Sequence, residues 1–293
     1  MKIFDCFQYF DENMMLDLRL NILNKYVDHF VIVENLYMHN GKKKKQNFNI
    51  NNFEKFKDKI EYILLDELPD DLHEINTDAT EKEHSKIIDN ALKIEKKQRN
   101  MIAHGLGKAH NEDLVFFSDV DEIPNLENFK YQNKITVFKQ KMMYYKFNLI
   151  YPNFTWMGTK VCKKKDFKSA EWLRNIKSKK FSRWRLDTLF SEKKFNDIGF
   201  VDDGGWHFTN VKSVKDIDFK MRNFAHHLEY EESGIDIKSL KSNIDKKTVF
   251  YNHFADKSSN DKLGFEVKLK KTAISELPAY IGKNIEKYNE WLD

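Results

Sequence analysis

Asp119, Asp121 and Glu122 place three carboxylates within four positions, directly after the apolar run Leu114-Val115-Phe116-Phe117 and directly before Ile123-Pro124. The run reads as a strand buried on both faces of a sheet, and Pro124 blocks further ladder pairing. In open α/β sheets ligands bind beyond the carboxyl ends of the strands. Two carboxylates at i and i+2 of an extended chain point the same way and can share a hard cation such as Mg2+ or Mn2+. A cation held there neutralises the phosphates of a nucleotide bound beside it. The plainer reading is an acidic turn that merely ends a strand, and the run ahead of it together with two further clusters weighs against that. The first of these is Asp202-Asp203-Gly204-Gly205-Trp206-His207-Phe208, where glycines let backbone approach a ligand closely. The second is Lys220-Met221-Arg222-Asn223-Phe224-Ala225-His226-His227-Leu228-Glu229-Tyr230, read as one helix.

The elements that position these residues can be followed along the chain. Residues 2–10 read as a strand, and a helix comes next with an apolar face of Met14, Leu16, Leu18, Leu20, Ile22 and Leu23 and a cap at Asp11 or Asn13. Residues 27–34 form a second buried strand ending at Glu34, and a polar loop carries His39-Asn40-Gly41 and the run Lys42–Lys45. That run is read either as a solvated face or as a phosphate-facing loop. Residues 59–65 form a third strand, and residues 81–106 are helical, with Gly105 and Gly107 at the end. Strand, helix and strand alternate up to the acidic motif, the pattern of a parallel sheet with right-handed crossovers. Residues 135–151 then form a long β-rich run with no helix between, read as antiparallel strands on an acceptor side, and a Lys-rich, weakly helical tail begins near Ser233. With no repeat and no linker, residues 1–293 are taken as one domain: a nucleotide-binding half (1–130), an acceptor-side half (131–232) and the tail (233–293).

Composition excludes several classes. The chain is 41% hydrophobic with 24 Phe and 12 Tyr, enough for a large core and incompatible with disorder. Its net charge of +4 looks small and evenly spread, which argues against nucleic acid and leaves a phosphate-bearing substrate open. Cys6 and Cys162 are too few for a disulfide framework, so a reducing compartment is expected. Neither a leader nor 18 consecutive apolar residues is seen, so the expectation is a soluble protein, cytoplasmic or peripheral to a membrane. The lack of G-x-G-x-x-G and G-K-[ST] argues against a dinucleotide oxidoreductase or a P-loop enzyme.

With the clusters in place, the chain resembles glycosyltransferase family 17, the family of the bisecting β-1,4-N-acetylglucosaminyltransferase of N-glycans. The resemblance runs through Asp5-Cys6-Phe7, Phe10-Asp11-Glu12, Leu16-Asp17-Leu18-Arg19-Leu20, residues 27–34 and His39-Asn40-Gly41-Lys42. It is strongest at Gln98-Arg99-Asn100, Ser118–Pro124 and Gly205-Trp206-His207-Phe208, and His227-Leu228-Glu229 resembles the family's H-x-E element. It implies a GT-A type fold, with a Rossmann-like mainly parallel sheet, and a nucleotide-sugar donor, UDP-N-acetylglucosamine. It also implies inversion at the anomeric carbon and a glycan acceptor.

Glycosyl transfer needs stabilisation of the departing diphosphate, a base for the acceptor hydroxyl, and fixed geometry. Asp121 is expected to hold a divalent cation, Asp119 the same cation or the donor ribose, and His207 to be a third ligand. Asp203, then Asp202, is the candidate base, with Trp206 stacking on a sugar, and Glu122 orients the site or caps the next segment. Arg99 and Asn100 are read as reaching the donor or as plain helix surface, and Glu34 as accepting from base or ribose. Lys42 belongs to the phosphate-facing loop, and His227 and Glu229 brace the cleft. A metal-dependent phosphohydrolase or nucleotidyltransferase also uses paired aspartates and is the main rival. A glycoside hydrolase would need carboxylates on opposite sides of the bond, and a binding protein without turnover has only the aromatic content in its favour.

Overall fold

Four parallel strands form the first half of the sheet. β1 (Ile3–Tyr9) leads through helix α1 (Asn13–Leu23) to β2 (His29–Asn35). β3 (Ile60–Leu65) and the long helix α2 (Glu81–Asn100) precede β4 (Leu114–Asp119). Their order across the sheet is β3-β2-β1-β4. The order therefore reverses between β1 and β4, and such a switch point opens a crevice at the carboxyl ends of the two strands. The two ends carry Asp11-Glu12 and Asp119-Val120-Asp121-Glu122.

The structure is a computed structural model that describes the chain except residues 77–79, 183, 226, 252 and 254–262. The second half is antiparallel where it joins the first. β5 (Glu122–Pro124) is followed by β6 (Ile135–Tyr144) and β7 (Leu149–Lys163), which pair with each other as a hairpin. The run expected over residues 135–151 is thus two strands, turned where Tyr145 takes a left-handed φ of 65°. Short helices α3 (Ala170–Asn175) and α4 (Asp187–Phe190) precede β8 (Ile198–Val201) and β9 (Gly205–Thr209). β7 runs antiparallel to β4, whereas β8 and β9 run parallel to β6. The sheet is therefore mixed, one half parallel and the other largely antiparallel.

Beyond it lie α5 (Val214–Met221), α6 (His227–Glu232), α7 (Ile237–Lys246) and a separate hairpin of β10 (Thr248–Tyr251) and β11 (Leu263–Lys268). The stretch read as one helix over residues 220–230 is two helices with a turn between, and its His226 lies outside the described residues. The tail is part helix and part hairpin. At the start of α1, Glu12 holds the cap position without a side-chain hydrogen bond to the helix, so neither Asp11 nor Asn13 fills that role.

Alternation along the strands fills two layers. Phe7 and Phe116 face α1 with Leu16, Leu18, Leu20 and Leu23, while Phe4, Cys6, Val115 and Phe117 face the opposite layer with Ile102, Leu106 and Leu173. Each such Leu or Phe contributes about 1.5–3 kcal/mol by leaving water. α2 starts with Thr80, whose side chain accepts from Glu83 N, and buries Ala91, Ile94 and Gln98. The turn after it seats Gly105 on β2, where a Cβ would stand 2.3 Å from Val31 Cγ1, so a side chain there would lift the turn off the sheet. Among the described residues no helix is long and apolar enough to cross a membrane.

Candidate active site

β4 pairs with β7 only from Leu114↔Lys163 to Phe117↔Lys160, so the acidic residues leave the sheet on that side. Side chains replace the lost ladder. Arg19 of α1 is 0% exposed and grips Asp5 through Nε (2.8 Å) and Nη2 (2.6 Å). Its Nη1 donates to the carbonyls of Asp119 (3.0 Å), Val120 (3.3 Å) and Glu122 (2.8 Å), and Nη2 also donates to Ser118 Oγ at 2.7 Å. A buried guanidinium with all these acceptors fixes the path of the turn.

From the opposite side comes Arg174 of α3. Its Nη1 donates to both oxygens of Glu122 at 2.9 and 3.0 Å, and Nη2 donates to Asp119 Oδ2 at 2.7 Å. Burial opposes its charge, but Asp119 and Glu122 push its pKa further up. Glu122 is 0% exposed and also accepts from Trp156 Nε1 at 2.6 Å, so it is tied into the turn and does not face solvent.

Asp121 sits opposite β9. Phe208 N donates to Asp121 O at 2.9 Å, which holds Asp121 beside His207. Its Oδ1 stands 3.6 Å from His207 Nε2 and its Oδ2 stands 3.6 Å from Lys220 Nζ on α5. Burial raises the Asp121 pKa, yet Lys220 and His207 outweigh it and hold the carboxyl below its ordinary range. Lys220 mirrors this: burial lowers its pKa, and Asp121 with Glu12 raise it more. Trp156 lies against the His207 ring, centroids 4.7 Å apart. β9 can approach β5 this closely because Gly205 adopts φ 120°, where a Cβ would meet Ile123 O at 2.2 Å.

Beside Asp121 lies a cavity of about 230 Å³, lined among others by Asp11, Glu12, Lys212 and Lys220. Lys212 pairs with Asp11 and, at 3.4 Å, with Glu12. Burial and Glu12 push Asp11 up, while Lys212 and Lys220 overcome burial at Glu12 and pull it down. The cavity occupies the β1/β4 switch point, where the two ammonium groups stand among the carboxylates of Asp11, Glu12, Asp121 and Asp216.

The remaining sequence candidates are placed elsewhere. Asp203 and Asp202 lie on the exposed turn before β9, and Asp202 pairs with Lys139 at 2.8 Å. Asp203 stands on that turn with a left-handed φ of 49°, four residues ahead of His207, so the two lie at most about 13 Å apart at about 3.3 Å per residue. Trp206 donates its Nε1 to Glu276 O at 2.8 Å. Glu34 is buried and already accepts from Lys44, Asn47 N (2.7 Å), Phe48 N (3.0 Å) and Tyr62 OH (2.8 Å), so it anchors the loop after β2. Lys42 is exposed on that loop. Arg99 is committed to Gln8 (3.2 Å), Glu171 (2.9 Å) and Glu95 (2.5 Å), and Asn100 Oδ1 accepts from Glu171 N at 3.3 Å. Both residues therefore brace α3, which carries Arg174. His227 Nδ1 lies 3.0 Å from Phe224 O.

Asp121 and His207 are the residues that could hold a divalent cation. They face each other with a carboxylate oxygen and an imidazole nitrogen, and His207 Nδ1 is buried without a partner. Asp119 gives an oxygen to Arg174 instead, and among the described residues no three His, Cys, Asp or Glu side chains are grouped to hold a metal. The expected set of three ligands is therefore not assembled, although the pair fits.

The sequence profile of glycosyltransferase family 17 matches residues 1–292. This chain belongs to glycosyltransferase family 17. No curated protein matches it. Among solved structures the family 17 chain superposes on S. aureus TarS with a TM-score of 0.33 and 13% identity, over 83% of its own length and 42% of that chain. It thus spans less than half of that protein, and so distant a likeness says nothing about the site. Within this family 17 member, Arg174, Trp156 and Lys212 were not singled out from sequence, and Arg19, within the resemblance, and Lys220 were noted without a role. One signal was available: only six Arg stand among 50 basic residues, and an arginine kept in so Lys-rich a chain marks a place where a planar fork is needed.

Proposed function

We propose that this family 17 glycosyltransferase moves N-acetylglucosamine from UDP-N-acetylglucosamine to a glycan hydroxyl with inversion, in a GT-A type arrangement. The observation that carries the reading is Asp121, held at the β1/β4 crevice between His207 and Lys220 at 3.6 Å each, with a cavity containing Lys212 beside it. Lys212 and Lys220, now paired with carboxylates of the same lining, can exchange those partners for a nucleoside diphosphate, which binds there and later leaves.

In the proposed step the acceptor oxygen bonds to the anomeric carbon. The bond from that carbon to the phosphate oxygen breaks, and its electron pair departs with the diphosphate. The hydroxyl proton passes to the base. Lys220 and Lys212 meet the developing negative charge, and exposed Lys42 lies on a loop that can add to it. Arg174 locks Asp119 and Glu122 so that neither turns toward the phosphates. When bound at Asp121 and His207, Mn2+ or Mg2+ adds positive charge for the leaving group. Asp203, with Asp202 next to it, is the proposed base. A sugar ring must fit between diphosphate and base, so a carboxylate removed from Asp121 along β9 is compatible with the role.

The test is incubation with a panel of nucleotide sugars, with and without Mn2+, and then detection of free nucleoside diphosphate. Release of UDP with appearance of a glycosylated acceptor is the expected result. Release of inorganic phosphate or pyrophosphate would favour a phosphohydrolase or nucleotidyltransferase. A folded protein that turns over no sugar nucleotide overturns the reading.

A further inference from the structure

Residues 177–194 differ from everything around them. They contain seven Lys or Arg and two acidic residues, a net +5, whereas the whole chain is only +4. The remaining residues therefore sum to −1, so the even spread expected from the total charge conceals one concentrated basic segment. The same segment exposes large apolar side chains: Trp184 is 94% exposed, Phe190 89% and Leu186 73%. Nothing in the core needs them there, since a core residue of these types is normally covered. Lys177, Lys179, Lys180 and Lys193 are exposed and make no ion pair among the described residues. Other charges nearby are internally matched, as Arg185 with Asp187 (2.8 Å), Lys194 with Asp187 (2.6 Å) and Lys168 with Glu192 (2.9 Å).

Unpaired ammonium groups flanking exposed indole, phenyl and isobutyl groups match one kind of surface. Aromatic and aliphatic side chains enter the boundary between headgroups and acyl chains, and lysines beside them meet anionic headgroups. We infer that residues 177–194 dock this protein on an anionic lipid surface, with Trp184, Leu186 and Phe190 inserted and Lys177, Lys179, Lys180 and Lys193 on the headgroups. The segment begins three residues after Arg174, so docking sets the lipid surface on the α3 flank of the site. This inference does not depend on the identity of the donor or the acceptor.

The test uses the full chain with vesicles of phosphatidylcholine alone or with about 30% phosphatidylserine, read by co-sedimentation and tryptophan emission. Binding to the anionic vesicles is expected to be about tenfold tighter or more, and to weaken as salt rises. Trp184→Ala with Leu186→Ala and Phe190→Ala should weaken it about tenfold or more, as should Lys179→Glu with Lys180→Glu. These are surface positions, and circular dichroism confirms that each variant is folded. Equal binding to both vesicles, no binding by the folded protein, or undiminished binding by both variants overturns the inference. So does concentration-dependent self-association, capture of an oligoribonucleotide, or a Trp184 emission shift produced only by a sugar nucleotide, where vesicle binding is lacking. Because the readout is adhesion and not turnover, its failure leaves the sugar-transfer reading standing.

Discussion

Arg19 and Arg174 hold the same acidic turn from opposite sides. Arg19 is wholly buried, binds Asp5 with a fork and spends its other donors on backbone carbonyls. Arg174 hydrogen-bonds the carboxylates of Asp119 and Glu122, lies over the Trp156 ring, and is partly open at 17% side-chain exposure. Main-chain carbonyls do not change charge or rotate away, so the first guanidinium sets where the turn runs. Carboxylates can exchange partners, so the second holds groups that a bound ligand could compete for. One arginine holds the backbone of the turn and the other its carboxylates.

The largest effect expected from this contrast is on stability. Arg19→Met leaves Asp5 as a buried, unpaired carboxylate and should lower stability by about 3–5 kcal/mol, measured by urea unfolding. If Arg174→Met cost as much, the distinction between the two would collapse. Next, Asp121→Asn should reduce sugar transfer about 10²-fold or more while the unfolding midpoint moves little, read by nucleoside diphosphate release beside circular dichroism. Arg174→Lys keeps the charge and loses the fork, and should slow transfer about tenfold with stability changed by about 1 kcal/mol or less. Asp203→Asn should retain donor binding but lose transfer by about 10²-fold, and normal turnover by that variant would remove Asp203 from the base role.

The smallest effect concerns acid. Burial holds the His39 imidazole below its ordinary pKa of 6.5, so the folded chain keeps it neutral while the unfolded chain protonates first. His39 therefore contributes stability that is present above about pH 6.5 and is lost as pH falls from there toward the folded pKa. Urea midpoints at pH 7 and at acid pH should show the decline, and His39→Gln should flatten it.

The parallel half was legible because its strands are short apolar runs closed by carboxylates or proline, a pattern that few other structures produce. Gly205 was read as letting backbone approach a ligand, whereas it lets β9 touch β5 and so brings His207 to Asp121. Asp202 and Asp203 were drawn into the same cluster by adjacency in sequence, but they sit on the exposed turn ahead of β9, and only His207 on the strand reaches Asp121. Arg174 arrives from a six-residue helix with no motif of its own, fixed by Glu171, Arg99 and Asn100, contacts that form only after the fold closes. The turn at Tyr145 escaped notice because no glycine or proline marks it. The basic segment was hidden by summing charge over the whole chain.

Where β4 loses β7 beyond Phe117, peptide groups that would normally be zipped into a neighbour are handed over to side chains. That gives this protein a native reporter. Deuterium uptake at Ser118 to Asp121 should slow once a donor seats itself, well before any product accumulates, so occupancy can be timed separately from turnover.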